Sequence, residues 1–238
     1  MRKIAILQPN YIPWKGVFDM ISQVDVFVFY NDVQYTKRDW RNRNMIQTPT
    51  GPIWITVPVN SQSRPLIKDV IISETPEWQK KHYNALKTNY GRAEHYKEYE
   101  WLLEELYLRK KWKWLSEFDI FSTKLICNVL GLKKEFVLSS DIELSGTADD
   151  RLIDLIEKVK GDCYLSGPAA KSYISAEKFV VKKIGLEYIK YEYPEYKQVF
   201  KPFTHNVTVL DLIFNCGADA PQYIWGWRQS PTDNLKAT

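Results

Sequence analysis

The sequence predicts an α/β protein: an open, mostly parallel sheet flanked by helices, with a helical subdomain inserted into it. Three observations carry that reading. The first 32 residues run strand, loop, helix, strand, which is the βαβ unit of a parallel sheet. Strand and helix patterns alternate again after residue 133, and the stretch from Glu77 to about Leu130 is helical in pattern.

In order, "KIAIL" at 3–7 is a short apolar run closed by Gln8-Pro9, hence a buried strand ending in a loop. "WKGVFDMISQV" then puts Trp14, Val17, Phe18 and Ile21 at helical spacing, and "DVFVFYNDVQYT" supplies a second buried strand ending at Asn31-Asp32. "IWITVPV" at 53–59 reads as a third strand. Residues 1–76 are therefore the N-terminal part of the α/β body, 77–132 the helical insertion, and 133–228 the C-terminal part of the body. In that last part strands at 135–140 and 162–167 alternate with helices at 149–159 and "AAKSYISAEKFVVKKI". The strand "LEYIKYEY" and the helix "VTVLDLIFNCG" follow, and the polar tail 229–238 is expected to fray.

The 238 residues are 45% hydrophobic and 26% charged, as in ordinary globular proteins. A net charge of +4 is too mild to predict nucleic-acid binding by itself and leaves anionic small molecules as ligands. Cys127, Cys163 and Cys216 have neither metal-ligand spacing nor an even count, so no disulfide framework and no metal site is expected. The apolar stretch before Gln8 is too short for a signal peptide and no membrane span is present, so the expected location is cytoplasmic.

Ligands of an open parallel sheet collect at the carboxyl ends of its strands. Four stretches fall there. In "QPNYIPWKG", prolines stiffen the loop, Gln8, Asn10 and Tyr11 offer uncharged donors and acceptors, Trp14 adds an aromatic wall and Gly16 allows close approach. A strand stop with Trp14 in the core explains the same residues equally well. "NDVQYTKRDWRNRN" holds Asp32, Gln34 and Asn42 with Lys37, Arg38, Arg41 and Arg43 set against Asp39, a cluster suited to phosphates. Charge runs are more often solvated loops.

Ser166 and Gly167 in "YLSGPAAKSYI" open a helix whose free amides favour anions, although Ser-Gly-Pro is also a routine cap. In "KPFTHNVTVLDLIFNCG", His205 lies just before a helix and suits a general base. Asn206 or Thr208 caps that helix and Asp211 is placed to orient a neighbour. His82 and His95 read as surface or packing residues. No Walker loop, dinucleotide fingerprint or nucleophile elbow is present.

The blocks "QPNYIPWKGVFDMI", "DVFVFYNDVQYTKRDWRNRN", "WITVPV", "YLSGPAAKSYI" and "PFTHNVTVLDLIFNCG" resemble the WbqC-like family, in order and over nearly the whole chain. Val207-Thr208 stands where that family more usually has Leu-Ser. The resemblance implies a place in building O-antigen or other surface polysaccharides. The activity it implies is a transferase forming an amide on an amino-sugar nucleotide, from an amino acid such as glycine or another acyl group.

On that reading Lys37, Arg38, Arg41, Arg43 and the Ser166-Gly167 turn hold the diphosphate. His205, oriented by Asp211, takes the proton, and Gln8, Tyr11 or Asn206 contacts the oxyanion. The partners are a nucleotide-linked amino sugar and an activated acyl or aminoacyl donor, with a homo-oligomer admissible. The strand-loop-helix start also resembles adenylate-forming enzymes of the pantothenate synthetase type, without their paired histidines. ATP is accordingly the one cofactor that stays open. A non-catalytic nucleotide or RNA binder is the rival reading, and the aromatics of 78–114 acting as a subunit interface is a third.

Overall fold

The computed structural model describes residues 1–60, 64–74 and 77–229. Five strands form one sheet, β1 (Lys3–Leu7), β2 (Val26–Phe29), β7 (Glu135–Leu138), β8 (Cys163–Ser166) and β9 (Gly185–Tyr188), in the spatial order β7-β2-β1-β8-β9. Every pairing is parallel, and Leu7 stands beside Phe29, which stands beside Leu138. The carboxyl ends thus share one edge. Counted along the chain the order is 3-2-1-4-5, a doubly wound sheet whose winding reverses between β1 and β8, and the crevice at that reversal is where such sheets take ligands.

Because successive strand residues face opposite sides, the two faces bury different sets. Ile4, Ile6, Val26, Val28 and Tyr164 pack on one face against α5 (Ala148–Lys158) and α6 (Ala176–Val181). Ala5, Phe27, Phe29 and Leu165 pack on the other, against α1 (Lys15–Ser22), α4 (Leu115–Val129) and α7 (Val209–Cys216). All four residues of β2 are buried, as a strand covered on both faces requires.

The helical stretch resolves into α2 (Trp78–Tyr90), α3 (Tyr96–Tyr107) and α4, and its buried side chains join the same core as the second sheet face. In α4 the buried Leu115, Phe118, Asp119, Ser122, Thr123 and Ile126 recur every three or four residues, one stripe of the helix. α7 starts at Thr208, whose Oγ1 accepts from Leu210 N at 3.3 Å, and stops at Gly217 with φ +55. A Cβ there would lie 2.5 Å from His95 Nδ1.

The run at 53–59 is not a strand of the main sheet. β3 (Arg43–Ile46) and β4 (Ile53–Thr56) form a separate antiparallel ribbon. Only Ile55 of β4 is buried, and a strand wet on one side has no place inside a sheet covered on both. β5 (Val59–Asn60) pairs with β6 (Ile71–Ile72) in a second small ribbon. The expected helix after Pro168 is a five-residue 3-10 turn, Pro168–Ser172, followed by the short α6. The strand expected over 186–193 stops at Tyr188. Residues 230–238 of the expected frayed tail lie outside the described residues.

One long-range clamp ties the C-terminal part to α1. Asp19 is fully buried, and Arg228 grips its two oxygens at 2.8 Å each while Tyr193 donates its hydroxyl at 2.8 Å. Among the described residues no helix is long and apolar enough to cross a membrane.

Candidate functional site

The loop from β1 to α1 lies at the reversal of the sheet and is fastened from three sides. Asn44 Nδ2 donates to the carbonyls of Tyr11 and Ile12 at 3.2 and 2.8 Å, Tyr11 N to the Trp40 carbonyl at 2.9 Å, and Val209 N to the Pro13 carbonyl at 2.9 Å. Those bonds hold Ile12 at φ +32, a conformation a β-branched residue adopts only when its surroundings impose it. Stretches distant in sequence, 8–14, 40–44 and the start of α7, therefore meet at one place.

Within the loop the side chains divide by role. Gln8 is half-buried and its Oε1 accepts from Arg41 Nη1 at 2.6 Å. Asn10 is also half-buried, with a buried Oδ1 that has no hydrogen-bond partner among the described residues. Tyr11 is no pocket wall: it is fully buried, stacked on Phe118, with its hydroxyl bonded to Tyr107 OH at 2.5 Å and His82 Nδ1 at 2.6 Å. Its aromatic surface belongs to the core. Trp14 is half-buried and meets Tyr191 edge-on at 4.9 Å. Gly16 serves that indole and not a ligand, because a Cβ there would fall 2.3 Å from Trp14 Cζ2.

The basic turn is only partly available to a ligand. Arg41 Nη2 holds Asp39 at 3.0 Å. Burial opposes ionisation of Asp39, but bonds from Thr36, Arg41 and Trp40 N outweigh it and keep the carboxyl below its usual range. Lys37 and Arg38 are exposed and make no ion pair among the described residues. Arg43 sits on β3 with its guanidinium 4.2 Å from the Trp54 ring, and Trp54 in turn touches the exposed Trp40. Asn42 is buried and spends its amide on the Val57 carbonyl at 3.0 Å, so it latches the turn. Gln34 is exposed and its backbone bridges to Leu66.

At the ends of β2 and β7 the polar groups satisfy one another. Asp32 accepts from Ser139 Oγ and pairs with Arg151 Nη2 at 2.5 Å, and Arg151 Nε donates to Tyr30 OH at 3.1 Å. Both carboxylate oxygens of Asp32 are thus engaged, and it fastens α5 to the sheet rather than waiting for a substrate. Ser166 is buried with its hydroxyl on Tyr164 OH at 3.3 Å. Gly167 opens only the 3-10 turn, so the anticipated α-helical dipole is absent. A Cβ at Gly167, just past the end of β8, would meet nothing within 4 Å among the described residues.

His205 is half-buried, edge-on to Phe203 at 4.6 Å, with Nδ1 buried and without a hydrogen-bond partner among the described residues. Burial, then the charge of Lys15, lower its pKa from the ordinary value, so the ring is neutral near pH 7. Asp211 does not orient it. Asp211 is fully buried and its Oδ1 accepts from Tyr196 OH at 2.7 Å and Gln198 Nε2 at 2.8 Å, which pins the 196–204 segment. Asn206 is exposed and its backbone amide bonds Thr204 Oγ1; Thr208 is the buried cap of α7.

Lys15 escaped sequence reasoning. A lysine opening an amphipathic helix reads as solvent-facing, yet it is 2% exposed and lies over the rings of Tyr193 and Tyr196. The only signal for it was adjacency to Trp14 and Gly16.

The sequence model of the WbqC-like protein family matches residues 8–223. The uncharacterised protein Rv1507c of Mycobacterium tuberculosis is 42% identical over 232 residues, which are 96% of this chain and 100% of that protein. No solved structure matches the chain.

Proposed function

The chain belongs to the WbqC-like protein family, and from that premise we propose that it is an enzyme, a transferase forming an amide on the amine of a nucleotide-linked amino sugar for surface-polysaccharide synthesis in the cytoplasm. The observation that supports this best is the bond of Arg41 to Gln8 at 2.6 Å, which brings the basic turn to the reversal point of a doubly wound sheet. Lys37 and Arg38 face the diphosphate there, with Gln8 and Asn10 reading uncharged groups of the sugar. The open space at Gly167 admits the ligand. His205, neutral and with one ring nitrogen unpartnered among the described residues, accepts the proton of the attacking amine. The acyl or aminoacyl group arrives activated, on a carrier or through ATP.

A ligand-induced melting shift tests this, with UDP- and dTDP-linked amino sugars and ATP each added separately. A ligand at 100 times its dissociation constant stabilises the native state by ~2.7 kcal/mol, a readable rise in midpoint. A shift with a sugar nucleotide supports the transferase, and a shift with ATP points to activation of the acyl group on this protein. No shift with any, joined to salt-sensitive retention on RNA, overturns it in favour of a nucleic-acid binder.

A further inference from the structure

A groove of about 1170 Å³ runs between β6, α2 and the segment 107–113 that joins α3 to α4. Its walls are fastened to one another. Gln79 Nε2 on α2 donates to the carbonyls of Tyr107 and Lys110 at 2.9 and 2.7 Å, and Ile72 N on β6 donates to the Lys113 carbonyl at 2.8 Å. The floor is apolar, built from the buried Ile72, Trp78, Tyr107 and Trp112, while Ile71 and Leu108 are exposed at the rim. Lys110, Lys111 and Lys113 line the same rim, and none of the three has a carboxylate partner among the described residues. Their neighbours are taken: Arg109 meets Glu104 and Glu105, and Lys80 meets Glu77. Tyr107 joins the groove to the candidate site, because its hydroxyl bonds that of Tyr11 in the β1–α1 loop at 2.5 Å.

The occupant follows from what these walls offer and withhold. Trp78 and Trp112 pack edge-on against Phe118 at 5.8 and 5.3 Å, and Lys110 Nζ covers Trp112 at 3.6 Å, so the floor gives a nucleobase no open ring to stack on. A strand cannot add to β6 either. β5 pairs with one of its sides, and Lys113 and Trp114 take the other. The groove is also larger than most small-molecule pockets, which hold roughly 300–1,000 Å³. We propose that it seats an acidic amphipathic helix of a partner protein, the apolar stripe against Ile71 and Leu108 and the carboxylates toward Lys110, Lys111 and Lys113. Three unpaired lysines beside exposed aliphatic side chains are complementary to that pattern in charge and in apolar surface. The inference is independent of the transferase reading.

The test is fluorescence anisotropy of the full chain with a labelled helical peptide of about 18 residues, five turns, carrying leucine at i, i+3, i+4 and i+7 and glutamate elsewhere. A second peptide has lysine in place of each glutamate, and an oligouridylate is the nucleic-acid probe. The wild type is expected to bind the glutamate peptide at least roughly tenfold tighter than the lysine peptide, and the double variant Lys111→Glu, Lys113→Glu to reverse that preference. Leu108→Asp is expected to weaken the glutamate peptide by about tenfold. Melting curves check that each variant is folded, and Leu108→Asp decides the matter if the double variant is not. Equal binding of the two peptides, or a glutamate-peptide affinity unchanged in Leu108→Asp, overturns the inference. Tighter binding of the oligouridylate than of either peptide overturns it in favour of nucleic acid. Self-association of the wild type that Leu108→Asp abolishes in sedimentation overturns it in favour of a second copy of this chain.

Discussion

Arg41 joins two ends of the site: one guanidinium nitrogen reaches Gln8 at 2.6 Å and the other Asp39 at 3.0 Å. A lysine is a point charge and cannot span both. Arg41→Lys is expected to weaken sugar-nucleotide binding by roughly tenfold, and giving up the bond to Gln8 costs about 1 kcal/mol of stability. Titration beside a denaturation curve checks this. Unchanged affinity would remove the basic turn from the site.

Tyr11 holds a buried hydroxyl between Tyr107 OH and His82 Nδ1. Tyr11→Phe leaves those two groups unsatisfied, at an expected loss of about 1–3 kcal/mol. Urea unfolding should show a lower midpoint with an unchanged slope.

Burial pushes the pKa of His82 down to about 4 from 6.5. The unfolded chain takes that proton first, so the stability is whole above pH 6.5 and is lost as pH falls toward 4, by up to roughly 3 kcal/mol. Unfolding free energies at pH 7, 5.5 and 4.5 should fall less steeply in His82→Gln. A slope equal to the wild type's would assign the acid sensitivity to other groups.

Lys15 titrates in the opposite range. Burial lowers its pKa to about 8 from 10.5, so the native state loses its proton first and stability rises with pH between those values. Lys15→Met is expected to stabilise the unliganded protein at pH 7 by roughly 1–3 kcal/mol, with the gain fading as pH climbs past 8 toward 10.5. Denaturation at pH 7 and 10 measures both.

Two glycines of the site should respond differently to a methyl group. Gly16→Ala drives a carbon into Trp14 and is expected to cost about 1–3 kcal/mol as the indole leaves Tyr191. Gly167→Ala has open space and an ordinary φ of −69, so its stability should stay within about 0.5 kcal/mol. Melting of the two variants side by side checks the contrast.

The sheet was legible because its strands are short runs such as "KIAIL" and "VFVF" that only burial on both faces explains. Their spatial order was not, since an apolar run carries no record of its neighbour. "IWIT" misled for the same reason: its composition says strand, and only the exposure of Trp54 in the fold says ribbon edge. At the site, the meeting of Gln8 with Arg41 depends on a crossing that local pattern cannot encode. Asp32, which looks like a ligand for a substrate, was taken up by Arg151, and Asp211, which looks placed to orient His205, by Tyr196 with Gln198. Residues that look solvated, Lys15 and Asp119, went inside.

The grip of Arg228 on Asp19 also sets an order in time. The buried aspartate of the helix that leaves the β1 loop takes its countercharge from a residue made 209 positions later. A carboxylate sealed in without its cation is strongly unfavourable. Firm seating of that helix, and of the loop it carries, therefore waits on the arrival of Arg228.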